Sequence, residues 1–541
     1  MNLLQSFPTG FTPNSQQEKI ITQIELAFKE GYKFVVCCAP TGTGKSFISK
    51  TLANSAAQPS KEYTDLVLSY NAFKRNAFSY EYEEECNEEK PFGAFALTIT
   101  KSLQDQYQEL FNETKVLKGK NNYACNIAPE FTADYAPCLY AKNIKNECWK
   151  KNCCTYYSNR NESLVSKFAT LNYKMFFSLP NHVKKRQYLV CDEASELEEE
   201  LIKEFSCIVD LDTLDKYNVK TSTPALSNYV KMQQWVGEVS GNISHVCKNI
   251  EDGIASIKQV AALEKEKEKL VWLKGLQTRL EVLLDTWHNS EYIIEKKEDK
   301  IHFTPLKVDK LSSRLFSSGD KVVLLSATII DHKTFCDTLG ITNYKYIEVD
   351  STFDPKKAPI YIASKIKLNS QNLQSKLPNI LRAVEKICNH HKTDKGLIHT
   401  HTNEITRYLK NNLTDESRYL ARVQGVSNEE ILQDHKDSID PTVLISPSLV
   451  YGVDLKDDLA RFQIIVKAPY APLIDKRIKT LCSINPQWYT NKMLTSVIQM
   501  CGRGIRSSED YCITYIIDGN IADNVIRNVK ILPKYFLNRF V

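Results

Sequence analysis

The chain has 541 residues, 42% of them hydrophobic and 25% charged, with a formal net charge of +5. That length exceeds one ordinary core and predicts two to four domains of a soluble globular class. A nearly balanced charge neither requires nor excludes nucleic acid, so any basic track has to be local. The opening residues, MNLLQSFPTGF, lack a basic stretch followed by an apolar core, so no signal peptide is expected. No window approaches 18 uninterrupted apolar residues, so no transmembrane helix is expected either. Of the sixteen cysteines, Cys37, Cys38, Cys191 and Cys512 fall inside apolar runs, where cysteine behaves as a small hydrophobe. The expectation is a reducing, cytoplasmic compartment, in which clustered cysteines point to metal before disulfides.

Residues 11–33 read as a capped amphipathic helix, with Ile20, Ile21, Ile24 and Phe28 at helical spacing and Gly31 as a stop. Gln16 or Gln17 on this helix is placed to read adenine; a solvated polar N-terminus is the alternative. The apolar run Phe34–Cys38 follows, then A-P-T-G-T-G-K-S, then a helical segment from Phe47. This strand–loop–helix order makes Ala39, Pro40, Thr41, Gly42, Thr43 and Gly44 an anion cradle of backbone N–H groups. Gly42 and Gly44 allow the turn and close approach of phosphate. Lys45 would reach the β- and γ-phosphates of ATP, and the Ser46 hydroxyl would ligate Mg²⁺.

The acidic run Tyr80–Cys86 reads as a surface insertion. Phe95–Thr100 then reads as a buried strand ending in Thr98-Ile99-Thr100-Lys101, whose hydroxyls and cation suit a phosphodiester backbone. Residues 115–160 turn rich in Cys, Asn, Lys and Tyr. Tyr188–Cys191 is an apolar strand ending in Asp192-Glu193; Asp192 would hold Mg²⁺ and Glu193 would polarise the attacking water. Residues 196–300 read as mostly helical, with Leu270, Leu273, Leu276, Leu280, Leu283 and Leu284 marking a packed hairpin. Residues 301–320 read as irregular, and Lys321–Thr328 as a buried strand.

From about residue 350 a second α/β unit is expected, with strands at Pro359–Ala363, Lys395–Thr400, Thr442–Ser446, Phe462–Lys467 and Tyr511–Ile517. Gly452 and Asp454 follow the third of these and would couple nucleotide and nucleic-acid sites. Gln499, Arg503 and Arg506 fall on one side of a helix, where two guanidiniums could meet a triphosphate across a cleft.

The order APTGTGKS, TITK, CDEA, SAT, YGVDL, QMCGRGIR resembles superfamily 2 helicases, and within them the XPD/DinG family of iron–sulfur helicases. The resemblance spans about residues 10–540. It includes Lys118–Cys125, Ser351–Asp354 and Lys467–Tyr470. It implies an α/β protein with two RecA-like parallel-sheet motor domains, an inserted Cys-rich metal-cluster domain and a helical arch domain. The corresponding divisions are 1–114, 161–204 and 316–345 for the first motor, 115–160 for the cysteine insert, 205–315 for the arch and 346–541 for the second motor.

It further implies ATP and Mg²⁺ as cofactors and 5′–3′ unwinding of tailed or forked DNA by a monomer. The setting would be replication, recombination or repair in a bacterial or phage-infected cell, alongside single-strand-binding or repair proteins. Thr98, Thr100 and Lys101, with Thr400, His401 and Thr402, would hold single-stranded DNA. Cys125, Cys138, Cys148 and Cys154, with Cys153 as the alternative fourth ligand, could hold [4Fe–4S] or zinc; spacing does not choose and the resemblance favours iron–sulfur. Ser195 stands where the family has histidine, which loses reach and a charge switch while keeping a hydroxyl. A translocase that does not separate strands, and an ATP-gated nucleic-acid sensor, are the competing functions.

Overall fold

The computed structural model describes residues 2–69, 89–139, 147–148, 153–253, 260–421, 428–447, 455, 457–502, 504 and 510–541. Strands β1 to β5 are Phe34–Cys38, Ala94–Thr98, Lys115–Leu117, Phe168–Asn172 and Arg186–Cys191. Strands β6 to β8 are Cys207–Asp210, Tyr292–Lys297 and Lys300–Pro305, and β9 and β10 are Gly319–Ser326 and Tyr344–Glu348. Strands β11 to β16 are Ile360–Ile366, Gly396–His399, Tyr419–Ala421, Val443–Ser446, Phe462–Ile465 and Ile513–Asp518.

Seven strands form one parallel sheet in the order β10-β1-β9-β5-β2-β4-β3. Because every strand runs the same way, the ends of β1, β9 and β5 line up on one edge. That is where ligands bind in open α/β sheets. The run Phe34–Cys38 is apolar throughout because both faces are covered: Val36 and Cys38 enter one core layer, Val35 and Cys37 the other. Six strands form the second parallel sheet, β11-β16-β15-β12-β14-β13. All five strands expected there are present, with short β13 added at the edge.

The segment expected to be helical carries a hairpin of Tyr229–Gly253 against Val260–Thr286. Leu270, Leu273, Leu276, Leu280 and Leu283 pack there on Met232, Trp235, Val236, Val239 and Ile243. Two expectations need correction. Residues 196–300 are not helix alone, since β6, β8 and β7 form an antiparallel sheet under the hairpin. Nor are residues 301–320 irregular, since they complete β8 and begin β9. The division at 345/346 also falls within β10, which pairs with β1. Among the described residues no helix is long and apolar enough to cross a membrane. The acidic run Tyr80–Cys86 lies outside the described residues.

Candidate nucleotide site at the domain junction

The first helix is set by its cap. Asn14 Oδ1 accepts the Gln17 N–H and Gln17 Oε1 accepts the Asn14 N–H, each at 2.9 Å, which starts the helix Ser15–Lys29. The rest of the Gln17 amide braces the loop, Nε2 donating to the Gly44 carbonyl at 3.3 Å. Both ends of the side chain expected to read adenine are thus committed to protein. Ala39 N–H donates to the Ser326 carbonyl at 2.8 Å, tying the start of the loop to β9. Gly42 and Gly44 have φ of +84° and +76°. A Cβ at Gly42 would stand 2.3 Å from the Phe353 ring, so glycine is required by space as well as by conformation. Gly44 caps the helix Lys45–Ser55 without a side-chain bond, leaving first-turn N–H groups for an anion.

Asp192 and Glu193 follow β5. Asp192 is buried; its Oδ1 accepts the Glu193 N–H at 2.9 Å and its Oδ2 accepts the Tyr107 hydroxyl at 3.1 Å. Tyr107 also bonds Ser49 Oγ at 3.0 Å and neighbours the Ser46 hydroxyl, so one phenol links the loop helix to the carboxylate. Burial, and then the neighbouring Glu193 charge, pushes the Asp192 pKa up to about 6. A carboxylate short of positive charge beside the Ser46 hydroxyl is a donor set that fits a hard divalent cation. Glu193 takes a left-handed backbone, φ 49° and ψ 45°, which turns its carboxylate back to within 3.9 Å of Lys45 Nζ.

The junction with the second domain begins two residues on. Ser195 Oγ accepts from Ser326 Oγ at 3.0 Å, Thr328 Oγ1 at 3.1 Å and Gln499 Nε2 at 3.4 Å. Gln499 also donates to Glu196 Oε1 at 3.1 Å, and its own Oε1 is buried without a partner among the described residues. On the loop side, a cavity of about 50 Å³ is walled by Pro40, Thr41 and Phe353 and, opposite, Gly502 and Arg539. Gln499 therefore meets the first domain at Ser195, Glu196 and Thr328, just beyond Asp192–Glu193. Arg503, Arg506, Gly452 and Asp454 lie outside the described residues.

The helix Leu197–Phe205 adds a feature the sequence analysis did not single out. Its Glu198 and Glu199 meet Arg477 and Lys492 of the second domain. Burial works against the Lys492 charge, yet Glu198, Glu199 and Glu196 outweigh it and raise that pKa.

The residues expected on nucleic acid divide. Thr98 and Thr400 are fully buried, Thr98 bonded to the Thr100 carbonyl and Thr400 to Thr406 Oγ1, so their hydroxyls do not reach a surface. Thr100 and Thr402 are N-caps, accepting from Leu103 and Ile405 N–H. Lys101 is exposed and donates to Asn122, and His401 holds φ 63° against the Tyr470 carbonyl.

The cysteines Cys125, Cys138, Cys148, Cys153 and Cys154 share one locality. The Cys148 and Cys153 sulfurs are 3.9 Å apart, and Cys154 caps the helix Thr155–Val165. Burial, reinforced by neighbouring thiols, raises the Cys138 and Cys148 pKa values. Soft sulfur donors under mutual repulsion fit a thiolate-bound metal. Among the described residues, though, no three ligand side chains converge to a formed metal site.

No curated protein matches this sequence. Residues 397–536 match the helicase C-terminal domain family. Across nearly the whole chain the fold is similar to an XPD helicase structure, at TM-score 0.62 and 15% identity over 98% of this chain and 99% of that one. An XPD structure in its apo form gives 0.53 and 14% over 96% and 98%. Xpd4 of S. tokodaii gives 0.51 and 14% over 96% and 99%. Residues 397–536 thus carry a helicase C-terminal domain, and the fold of the whole chain is similar to that of XPD helicase structures.

Proposed function

We propose that this protein is a 5′–3′ DNA helicase that hydrolyses ATP to move along single-stranded DNA and open duplex during replication, recombination or repair. It acts as a cytoplasmic monomer on tailed or forked DNA, with single-strand-binding or repair proteins as partners. The observation that carries the reading is the shared edge of β1, β9 and β5, which gathers the phosphate loop, Asp192–Glu193 and the Ser326–Thr328 segment opposite Gln499.

Ser46 and Asp192 would hold Mg²⁺, which supplies charge neutralisation for phosphoryl transfer. Lys45 is engaged by Glu193 at 3.9 Å in this state. An entering γ-phosphate competes for Lys45 and frees Glu193 to take a proton from the attacking water. Arg503 and Arg506 would complete the site from the second domain on closure. Gly452 and Asp454 relay closure to nucleic acid, and Gln17 meets adenine only after leaving Gly44. Lys101 and His401, with the helix N-termini capped by Thr100 and Thr402, hold backbone phosphates without reading sequence. Separating duplex costs about 1.4 kcal/mol per stacked step. Cys125, Cys138, Cys148 and Cys154, with Cys153 in reserve, would hold a [4Fe–4S] cluster that rigidifies the strand-separating insert; zinc is the alternative metal.

The test uses anaerobically purified protein with ATP, Mg²⁺ and two duplexes, one with a 5′ tail and one with a 3′ tail. Opening of the 5′-tailed duplex alone supports the proposal. Opening of the 3′-tailed duplex alone overturns the polarity. Stimulated ATP hydrolysis with neither duplex opened leaves a translocase, and ATP binding without turnover leaves a sensor.

A further inference from the structure

Glu198 makes three bonds to the second domain. Its Oε1 accepts from Arg477 Nη2 at 2.7 Å, and its Oε2 from Trp488 Nε1 and Lys492 Nζ, both at 3.0 Å. Arg477 Nε donates at the same time to the Pro305 carbonyl at the end of β8, at 3.1 Å. One arginine thus touches the first domain, the inserted sheet and its own domain. Glu198 and Arg477 are 7% and 4% exposed, so this is a desolvated ion pair rather than a surface bridge. Removing one partner while the other stays buried leaves an uncompensated charge and is strongly unfavourable.

The packing around these bonds is loose by contrast. A cavity of about 230 Å³ and another of about 150 Å³ both have Glu198, Trp488, Thr334 and Thr338 in their walls. Tight directional bonds flanked by empty space permit rotation about the bonds without clash. Nearer the nucleotide loop, the junction has neutral Gln499 bonds of 3.1 to 3.4 Å and a Tyr535 hydroxyl bond to the Ala327 carbonyl, with no ion pair among the described residues there.

The geometry points to Glu198, Arg477, Trp488 and Lys492 as a fixed pivot: their bonds persist while the second domain swings to open and close the nucleotide cleft. Arg477 passes that swing to the inserted sheet through Pro305. This rests on the reading of the chain as an ATP-driven motor. The four residues are positioning residues, since none faces the phosphate loop.

The experiment labels the five tryptophans with 5-fluorotryptophan and assigns the Trp488 ¹⁹F resonance with Trp488→Phe. Spectra are compared without nucleotide and with Mg·ADP·beryllium fluoride, after binding of the analogue is verified by calorimetry. A pivot keeps the Trp488 resonance within its linewidth in both states. A new Trp488 resonance with the analogue overturns the pivot, as does absence of analogue binding. In parallel, Glu198→Gln is expected to lower nucleic-acid-stimulated ATP turnover at least tenfold with the KM for ATP within twofold. Arg477→Lys, which keeps the charge but loses the fork, is expected to retain more of that turnover than Arg477→Met. Equal turnover in Glu198→Gln and wild type overturns the role. Should Glu198→Gln not fold, Lys492→Gln at the more exposed end of the cluster carries the same expectation. Wild-type protein whose hydrolysis ignores nucleic acid overturns the motor reading, while the ¹⁹F comparison still decides whether the contact is fixed.

Discussion

Removing one hydroxyl behind the site should shift its pH dependence. In Tyr107→Phe the buried Asp192 loses a 3.1 Å donor while its backbone bond from Glu193 remains. A hydrogen bond to a charged group contributes about 1.5–3 kcal/mol, and about 1.36 kcal/mol corresponds to one pKa unit. Asp192 is already raised to about 6 by burial and by Glu193. Losing the donor should therefore lift it by roughly 1–2 units, the lower figure applying if water enters the space left by the hydroxyl. The protonated acid cannot bind a cation, so turnover rises with pH as Asp192 ionises. The assay is ATP turnover against pH at sub-saturating Mg²⁺. The acid limb should move up by about one unit, with turnover on the alkaline plateau within about threefold of wild type. An unmoved acid limb, or an equal loss at every pH, would refute the link between Tyr107 and Asp192.

Asp192 also carries a stability signature. Its folded pKa of about 6 lies above the ordinary aspartate value of 3.8, so the native state holds the proton more tightly. Stability from this group is lost as pH rises from about 4 to about 6, by roughly 3 kcal/mol at most. Urea melts of nucleotide-free Asp192→Asn should lack that slope. Gly42→Ala meets the Phe353 ring and a φ of +84° at once. It should weaken binding of a fluorescent ATP analogue at least tenfold, and adding Phe353→Ala should restore only part, since the backbone strain of about 1–2 kcal/mol stays. Ser195→His should lower basal ATP hydrolysis relative to the DNA-stimulated rate; an unchanged ratio would remove Ser195 from the coupling path. Metal analysis of anaerobic protein should give about four irons per chain and visible absorbance, lost with Cys154→Ser and retained with Cys153→Ser; one zinc per chain would replace the cluster.

The parts of this fold that were legible obey strong local rules. The phosphate loop announced itself because two glycines sit between an apolar strand and a helix, and both have positive φ. The capping box at Asn14 and Gln17 was equally visible in type, but not that the same amide would brace Gly44. The antiparallel sheet escaped because its hairpin turns at Glu298-Asp299 with no glycine, and Glu298 itself takes φ 55°. Thr98 and Thr400 look like solvent-facing hydroxyls in sequence, yet the ends of fully covered parallel strands turn such side chains inward. Tyr107 and Glu198 could not be read at all, because their roles depend on partners 85 and 279 residues away.

The position of β9 has a consequence for how the protein is made. It lies inside the first sheet, between β1 and β5, yet it begins at Gly319, whereas β1 ends at Cys38. At about 5–20 residues per second, the wait between synthesis of the two strands is on the order of 15–60 s. During that time β1 and β5 have no neighbour for their facing edges and present unpaired backbone N–H and C=O groups beside apolar side chains to the nascent-chain environment. The inserted helical hairpin and its small sheet share one core of their own, which can mature first. Chains stopped before Gly319 should therefore yield a folded insert and an aggregating first domain, and production of this protein should depend on chaperones more than its size alone suggests.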